Sequence, residues 1–250
     1  MLGNLVKIEE AEFRYFITIK TLILNRIGEI LNLLNSRIAI INDWKSAFVR
    51  TARKGYKQSD LNIGAERVFH NWASAVFKFP NSTPIGADLV FDSEEGFRVH
   101  IDIKTALDEN PADWQGVVNI GKNQTSYTIP SMFNADLPTR YSDGRITLTY
   151  IILVIHKHFS DKIDAVLLTC VPNGELLGVY GSKISRAGKG GKEKGKDFRF
   201  KYIVDGDVLR FKLLTGNPPR VEIITALKGS VVVKRLLSLS NNQLRMNRWH

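Results

Sequence analysis

The 250-residue chain has a single cysteine and no long uninterrupted run of apolar residues. Because Cys170 stands alone, an internal disulfide and a cysteine-based zinc site are both excluded. The N-terminus has none of the features of a secretory signal. The most hydrophobic stretch, residues 13–41, is unsuited to a bilayer core because it includes Arg14, Lys20, Arg26, Glu29 and Arg37. We therefore expect a cytoplasmic protein with no membrane partner.

Acidic residues are fewer than basic ones. The 25 Asp and Glu against 35 Lys and Arg give a formal net charge of +10 and a pI of about 9.7. This balance indicates a polyanionic partner, with nucleic acid ahead of an anionic membrane surface. An apolar fraction of 44% is ordinary for a globular protein, so a sizeable core can form. His156 and His158 are interpreted as a structural pair rather than as zinc ligands.

The first 58 residues are predicted to form an N-terminal helical subdomain. Apolar residues recur at helical spacing from about Val6 to Asn35, and a second helix is expected over residues 42–52. The apolar face of the first helix is large enough for a partner as well as a core. Plain core packing and dimerisation are therefore both open.

Residues 59–250 are predicted to form an α/β domain whose central mixed β-sheet is flanked by helices. A helix is expected over residues 60–77, with its apolar residues on one stripe. The β-branched and aliphatic segments that follow predict strands over residues 86–92, 97–104, 146–155, 163–171, 198–204, 207–214 and 220–225.

The strand over residues 97–104 alternates between apolar and polar side chains. Its polar positions are Arg98, His100, Asp102 and Lys104. Because side chains on a strand repeat with a period of two, Asp102 and Lys104 project from the same face. The strand thus presents a carboxylate beside an ammonium group.

The turn before this strand decides whether a second carboxylate joins that face. The sequence suits a three-residue turn with Gly96 in the left-handed conformation, which pairs Ser93 with Phe97. Extended along the hairpin, this register places Asp88 opposite Asp102. A slip of one residue would turn Asp88 to the other face.

Two opposed carboxylates repel each other unless a cation or a raised pKa relieves them. Magnesium suits the pair because it takes oxygen ligands and binds through one or two carboxylates together with a substrate phosphate. Lys104 could orient the attacking water and stabilise charge on the phosphate while a phosphodiester bond is cut. From the spacing alone, a solvated hairpin face with an ordinary Asp–Lys pair is the alternative. No organic cofactor is expected.

The same hairpin carries a family resemblance. Pro84-Ile-Gly-Ala-Asp88, then thirteen residues, then Asp102-Ile-Lys104 resembles the PD-(D/E)xK nuclease motif, and residues 100–105 resemble the active-site strands of type II restriction enzymes. In the family the proline often directly precedes the first aspartate, whereas here it lies four residues earlier. The resemblance implies a restriction-endonuclease-like core, double-stranded DNA as substrate, Mg²⁺ as cofactor, and metal ligands at Asp88, Asp102 and Ile103.

A glutamate on the helix before the first catalytic strand agrees with the resemblance. Family members often have one there, and Glu66 takes that place. The resemblance adds Glu66 to the catalytic residues. A solvated glutamate that pairs with Arg67 or His70 is the alternative.

Two further segments are predicted to contact DNA. Residues 120–127 are similar to the segment that follows the catalytic lysine in several restriction enzymes, and the glycine-rich basic residues 186–201 are expected to be a flexible loop that binds DNA. A cap or turn role for Asn123 and a merely solvated loop are the alternatives. The candidate contacts are Asn123, Gln124, Tyr127, Arg186, Lys189, Lys192, Lys194, Lys196 and Arg199.

Charge, hairpin and resemblance favour a type II restriction endonuclease of a prokaryotic restriction–modification system. It is expected to be a homodimer that cuts double-stranded DNA at a specific short site. A junction resolvase or repair nuclease with the same core is the alternative enzyme. A non-catalytic DNA-binding protein is the alternative outside the enzymes.

Overall fold

The computed structural model describes twelve segments of the chain: residues 2–35, 57–77, 88–110, 114, 117–120, 140–158, 162–176, 186–187, 198–201, 204–205, 208–209 and 220–236. The helix predicted over residues 42–52 lies outside them. So do seven of the nine candidate DNA contacts: Asn123, Gln124, Tyr127, Lys189, Lys192, Lys194 and Lys196.

Three helices precede the first strand in the described part of the chain. They are α1 (Leu2–Asn25), α2 (Ile27–Asn35) and α3 (Lys57–Phe77). The prediction of a single helix from Val6 to Asn35 is wrong at one point, because the helix is interrupted at Arg26, between α1 and α2. No helix in these segments combines the length and the hydrophobicity needed to cross a bilayer.

The break has a local cause at Arg26. Its N–H donates to the carbonyl of Ile23 at 3.1 Å, a tightened turn that ends α1. Its guanidinium contacts the Glu29 carboxylate through two hydrogen bonds of 2.8 and 2.7 Å, in the first turn of α2. The apolar period continues across the break, and for that reason the sequence pattern did not reveal it.

A five-stranded mixed sheet forms the centre of the fold. The described segments contain ten strands: β1 (Leu89–Asp92), β2 (Phe97–Leu107), β3 (Val117–Ile120), β4 (Ile146–His156), β5 (Ile163–Val171), β6 (Arg186–Ala187), β7 (Phe198–Lys201), β8 (Val204–Asp205), β9 (Val208–Leu209) and β10 (Val221–Ala226). The order in the central sheet is β1-β2-β4-β5-β10, with β2 and β4 parallel and the other pairs antiparallel. The mixed sheet flanked by helices is therefore confirmed.

The predicted basic loop begins and ends in strands. β6 and β7 pair antiparallel, and β7 also pairs with β3, so these three form a second sheet. The prediction of a loop over the whole of residues 186–201 is thus wrong at both ends. At residues 198–201 the strand predicted from the alternation Phe198-Arg-Phe200-Lys201 is the one confirmed. Of the strand predicted over residues 198–204, residues 198–201 lie in β7 and residue 204 lies in β8, and residues 202–203 lie outside the described segments.

Both faces of the central sheet are covered. On one face, α1, α2 and α3 pack against β2, β4 and β5 through apolar residues that include Phe16, Ile19, Ile30, Phe69 and Trp72. On the other face, Trp114 and the helical residues 231–236 pack against β4 and β5. The first two helices therefore share their core with the sheet. A domain boundary at residue 58 stays a prediction, because residues 36–56 lie outside the described segments.

A buried ion cluster joins α1 to the sheet edge formed by β10. Arg220, just before β10, contacts the carboxylates of Glu12 at 2.5 Å and Glu9 at 3.4 Å, and all three side chains are at most 1% exposed. The main-chain N–H of Asn173 donates to Glu12 at 2.5 Å. The Tyr150 hydroxyl donates to the main-chain carbonyl of Glu12 at 2.7 Å. These contacts fix the position of α1 relative to β4, β5 and β10.

Candidate active site

The turn between β1 and β2 sets the geometry of the site. Gly96 has a φ of 83°, and the N–H of Ser93 donates to the carbonyl of Phe97 at 2.8 Å. The register that follows pairs Leu89 with Ile101. The predicted three-residue turn and its pairing are therefore confirmed.

Asp88 lies one residue before β1. Extending the strand register by one pair beyond Leu89 and Ile101 places Asp88 opposite Asp102. The main-chain N–H of Ile103 donates to Asp88 Oδ2 at 2.6 Å, and the Asp88 and Asp102 side chains lie within hydrogen-bonding distance of each other. Burial raises the pKa of Asp88, while the Ile103 N–H, the Lys104 charge and the contact with Asp102 oppose the rise. Two carboxyl groups so close cannot both stay ionised without a compensating charge.

Lys104 supplies a positive charge at the same place. Its Nζ lies 2.7 Å from Oδ2 of Asp102, whose side chain is only 3% exposed, whereas the lysine side chain is 33% exposed. The ammonium group thus reaches from the buried carboxylate toward solvent. The solvated hairpin face that spacing alone allowed is wrong, because Asp102 and His100 are both buried.

Glu66 faces this group from α3. Its side chain is partly buried, and its pKa is raised by burial and by the charge of Asp88, against the lowering effects of Lys104 and Arg67. Glu66 is therefore near enough to interact electrostatically with both the Asp88 carboxylate and the Lys104 ammonium group. Among the described residues, however, no three His, Cys, Asp or Glu side chains are grouped closely enough to hold a metal ion between them.

Family and fold comparisons bear on what this site does. The family model described as "Type II restriction enzyme MwoI, N-terminal domain" matches residues 4–161, and the one described as "Type II restriction enzyme MwoI, central domain" matches residues 163–225. The chain belongs to the MwoI family of type II restriction enzymes. It is therefore an endonuclease that hydrolyses DNA, and the predicted restriction endonuclease is confirmed.

Two solved structures share the fold of this MwoI family member. The tetrameric restriction endonuclease SfiI bound to cognate DNA is 12% identical, with 77% of this chain and 78% of that chain covered and a TM-score of 0.50. The restriction endonuclease BglI bound to its DNA recognition sequence is 18% identical, with 80% and 89% covered and a TM-score of 0.50. At these identities the likeness shows the fold alone, which confirms the restriction-endonuclease-like core. No curated protein sequence matches the chain.

Two residues beside the carboxylates have contacts that sequence reasoning missed. His100 is 1% exposed, and its Nε2 forms a 2.6 Å hydrogen bond with the hydroxyl of Tyr141. Burial and the nearby Arg98 lower the pKa of His100 to about 4, and burial raises that of Tyr141 to about 12. His100 was visible as a polar position of the strand, but no sequence signal joins it to Tyr141.

The candidate DNA contacts are only partly described. Arg186 lies in β6 and Arg199 in β7, where they are direct register partners, and Arg199 is also the partner of Asn119 in β3. Directly opposed positions of antiparallel strands share a face of the sheet. These three positions therefore form a row across the second sheet of the MwoI family member.

Proposed function

We propose that the chain is a magnesium-dependent PD-(D/E)xK endonuclease that cuts double-stranded DNA at a specific short site. Its catalytic residues are Asp88, Asp102 and Lys104, supported by Glu66. The observation that carries the proposal is the juxtaposition of two carboxyl groups on one face of the β1–β2 hairpin, with an ammonium group 2.7 Å from the more deeply buried one.

The donor set suits magnesium. Asp88 and Asp102 offer hard carboxylate oxygens in contact with each other, and the main-chain carbonyl of Ile103 is the third ligand of the proposal. Mg²⁺ is commonly held by one or two carboxylates and a substrate phosphate, with water in the remaining positions, so a site without three clustered side chains fits it. When bound, the ion supplies charge stabilisation to the phosphate and lowers the pKa of water.

The protein side chains have separate parts in the reaction. Asp88 and Asp102 hold the cation, and the Ile103 N–H keeps the Asp88 carboxylate oriented. Lys104 donates hydrogen bonds to the attacking water and to a phosphate oxygen, since its ammonium group is partly exposed. Glu66 adds negative charge beside Asp88, which strengthens the attraction for a cation.

DNA is held by positive charge outside the catalytic hairpin. Arg186 and Arg199 are register partners in β6 and β7. We propose that each contacts a DNA phosphate, and the net charge of +10 favours the same partner. The remaining proposed contacts are Asn123, Gln124, Tyr127, Lys189, Lys192, Lys194 and Lys196. A homodimer would present two such sites, one for each strand.

The proposed function is tested by metal-dependent cleavage of a plasmid. With Mg²⁺ the protein is expected to yield a fixed set of discrete fragments, and with excess chelator the plasmid should stay intact. Sequencing the fragment ends then gives the recognition site. Cleavage that proceeds equally with chelator would contradict the magnesium mechanism, and a continuous smear would contradict cutting at a specific short site.

Substitution of the paired arginines is expected to weaken DNA binding without changing the site that is cut. For each of Arg186→Ala and Arg199→Ala, the slope of log affinity against log salt should become shallower by about one, because one phosphate contact is lost. Affinity is measured over a salt series on cognate and unrelated duplexes. Arg26→Ala is the matched control, since this arginine is paired with Glu29 at the junction of α1 and α2. An unchanged slope in both variants would refute the phosphate contacts.

A further inference from the structure

We propose that Tyr141 is a positioning residue for DNA cleavage, which acts by fixing the buried side chain of His100, the neighbour of the catalytic carboxylate Asp102 on the same face of β2. The proposal rests on the proposed function, because it requires that Asp102 belongs to the catalytic site. It assigns a role to two residues that are not among the proposed catalytic residues.

The first observation is the order of side chains along β2. Arg98, His100, Asp102 and Lys104 occupy alternate positions, so neighbours on this face are roughly 6.5 Å apart. Lys104 adjoins Asp102 on one side along the strand, and His100 adjoins it on the other. Across the sheet, the register partner of Asp102 in β4 is Ile151, a fully buried residue. His100 is thus the buried side chain next to Asp102 on the polar face of β2.

The second observation is that Tyr141 holds the His100 side chain through two contacts. The hydrogen bond between its hydroxyl and His100 Nε2 is 2.6 Å long, and the two rings meet edge to face with centroids 5.7 Å apart. The guanidinium carbon of Arg98 lies 4.2 Å from the centre of the Tyr141 ring. Arg98 is itself held by Asp92 at 2.6 Å and by Asp143 at 3.2 Å. The phenol is therefore clamped between a fixed cation and a buried imidazole.

The third observation is that the backbone of Tyr141 is also fixed. Its N–H donates to the carbonyl of Arg145 at 2.9 Å, and its own carbonyl accepts from Gly144 N–H at 2.9 Å. Gly144 has a φ of 84°, a conformation that permits this tight turn. The turn leads into β4, which pairs in parallel with the catalytic strand β2. The hydroxyl is thereby presented to His100 from a rigid support.

These contacts bear on catalysis because Asp102 depends on a closed, fixed environment. In a dry site, electrostatic interactions are stronger than in water, and small displacements of a charged ligand lose much of that benefit. Outer partners that orient a catalytic ligand set typically change activity by about 10- to 100-fold when they are removed. Loss of the Tyr141 hydroxyl frees the imidazole to rotate and leaves Asp102 less well placed, while the DNA-binding surface is untouched.

The test compares Tyr141→Phe with the wild type in single-turnover cleavage of a duplex, with enzyme in excess and Mg²⁺ saturating. The expected result is a cleavage rate constant lower by about 10- to 100-fold with a DNA Kd within about twofold of the wild type. His100→Phe should cause a similar loss. In the double variant the two losses should not multiply, because one residue acts through the other.

Tyr15→Phe is the matched control. The Tyr15 ring packs against Phe91 and Phe97 in the same hairpin but belongs to α1, and its substitution should leave the cleavage rate unchanged. All rates are measured at a temperature at which thermal unfolding shows every variant to be folded. Under these conditions a loss of rate does not report loss of structure.

Three outcomes would overturn the inference. These are an unchanged rate in Tyr141→Phe, a loss of DNA affinity with the rate preserved, and fully multiplicative losses in the double variant. Failure of the proposed function has a different signature. If Asp102→Asn still cleaves at the wild-type rate, the catalytic assignment is wrong whatever the Tyr141 variant does.

Discussion

Asp102→Asn is expected to lower the rate of DNA cleavage by at least about a thousandfold while the fold and DNA binding persist. Asparagine has the shape of aspartate, so the buried site around this residue stays filled. The substitution removes the negative charge that lies 2.7 Å from the Lys104 ammonium group and beside Asp88. Both the proposed cation and the lysine then lose their main partner.

The measurement is single-turnover cleavage of a plasmid, paired with a gel-shift assay of DNA affinity. Asp108→Asn is the matched control, because Asp108 follows the same strand by one residue and its Oδ1 accepts from the main-chain N–H of His158 at 2.8 Å, a bond that asparagine can also accept. This control should cleave at the wild-type rate. Equal rates for Asp102→Asn and the wild type would rule out the carboxylate as a catalytic group.

The catalytic hairpin could be predicted because its geometry is encoded locally. One glycine in the left-handed conformation fixes the turn, and a period of two then decides the face of every side chain along the two strands. From Gly96 the pairing of Leu89 with Ile101 follows, and with it the approach of Asp88 to Asp102. The relative positions of these charged residues could therefore be predicted without information from any distant segment.

The contacts that were not predicted join segments far apart in the sequence. His100 and Tyr141 are 41 residues apart and meet only because β4 pairs in parallel with β2, a pairing that the strand patterns do not specify. The burial of His100 was hidden for a related reason. An alternating strand pattern indicates one polar face, but a polar face becomes buried when a distant turn packs on it.

The pattern of α1 likewise gave no reason to expect buried charges. Glu12 lies 208 residues from its partner Arg220, and acidic residues are rarely fully buried unless they are paired. The partner could not be inferred from periodicity, since nothing in the sequence near Arg220 distinguishes it from the many exposed arginines of a basic protein. Long-range ion pairs of this kind become visible only once the sheet and its covering helices are assembled.

Arg220→Met is expected to destabilise the protein by about 3–5 kcal/mol, because it leaves Glu9 and Glu12 buried without their cation. Methionine keeps much of the volume of arginine, so the effect is mainly electrostatic. The measurement is the free energy of unfolding in urea at neutral pH. Arg26→Met is the matched control, since it breaks an exposed pair with Glu29 and should change stability by at most about 0.5 kcal/mol.

The pH dependence of this loss tests its electrostatic origin. Burial already raises the pKa of Glu12 above its ordinary 4.5, and Arg220 is the main influence that lowers it, so the substitution should raise it further. A carboxyl group whose folded pKa is raised favours folding while it is protonated, and that contribution is lost as the pH rises through the folded value. The deficit of Arg220→Met relative to the wild type should therefore be smaller near pH 5 than near pH 8.

Adding Glu9→Gln and Glu12→Gln should recover much of the lost stability at pH 8, because amides cost less to bury than unpaired carboxylates. An equal deficit at both pH values, without recovery in the neutral triple variant, would show that lost packing of the arginine side chain, and not unpaired charge, destabilises the fold.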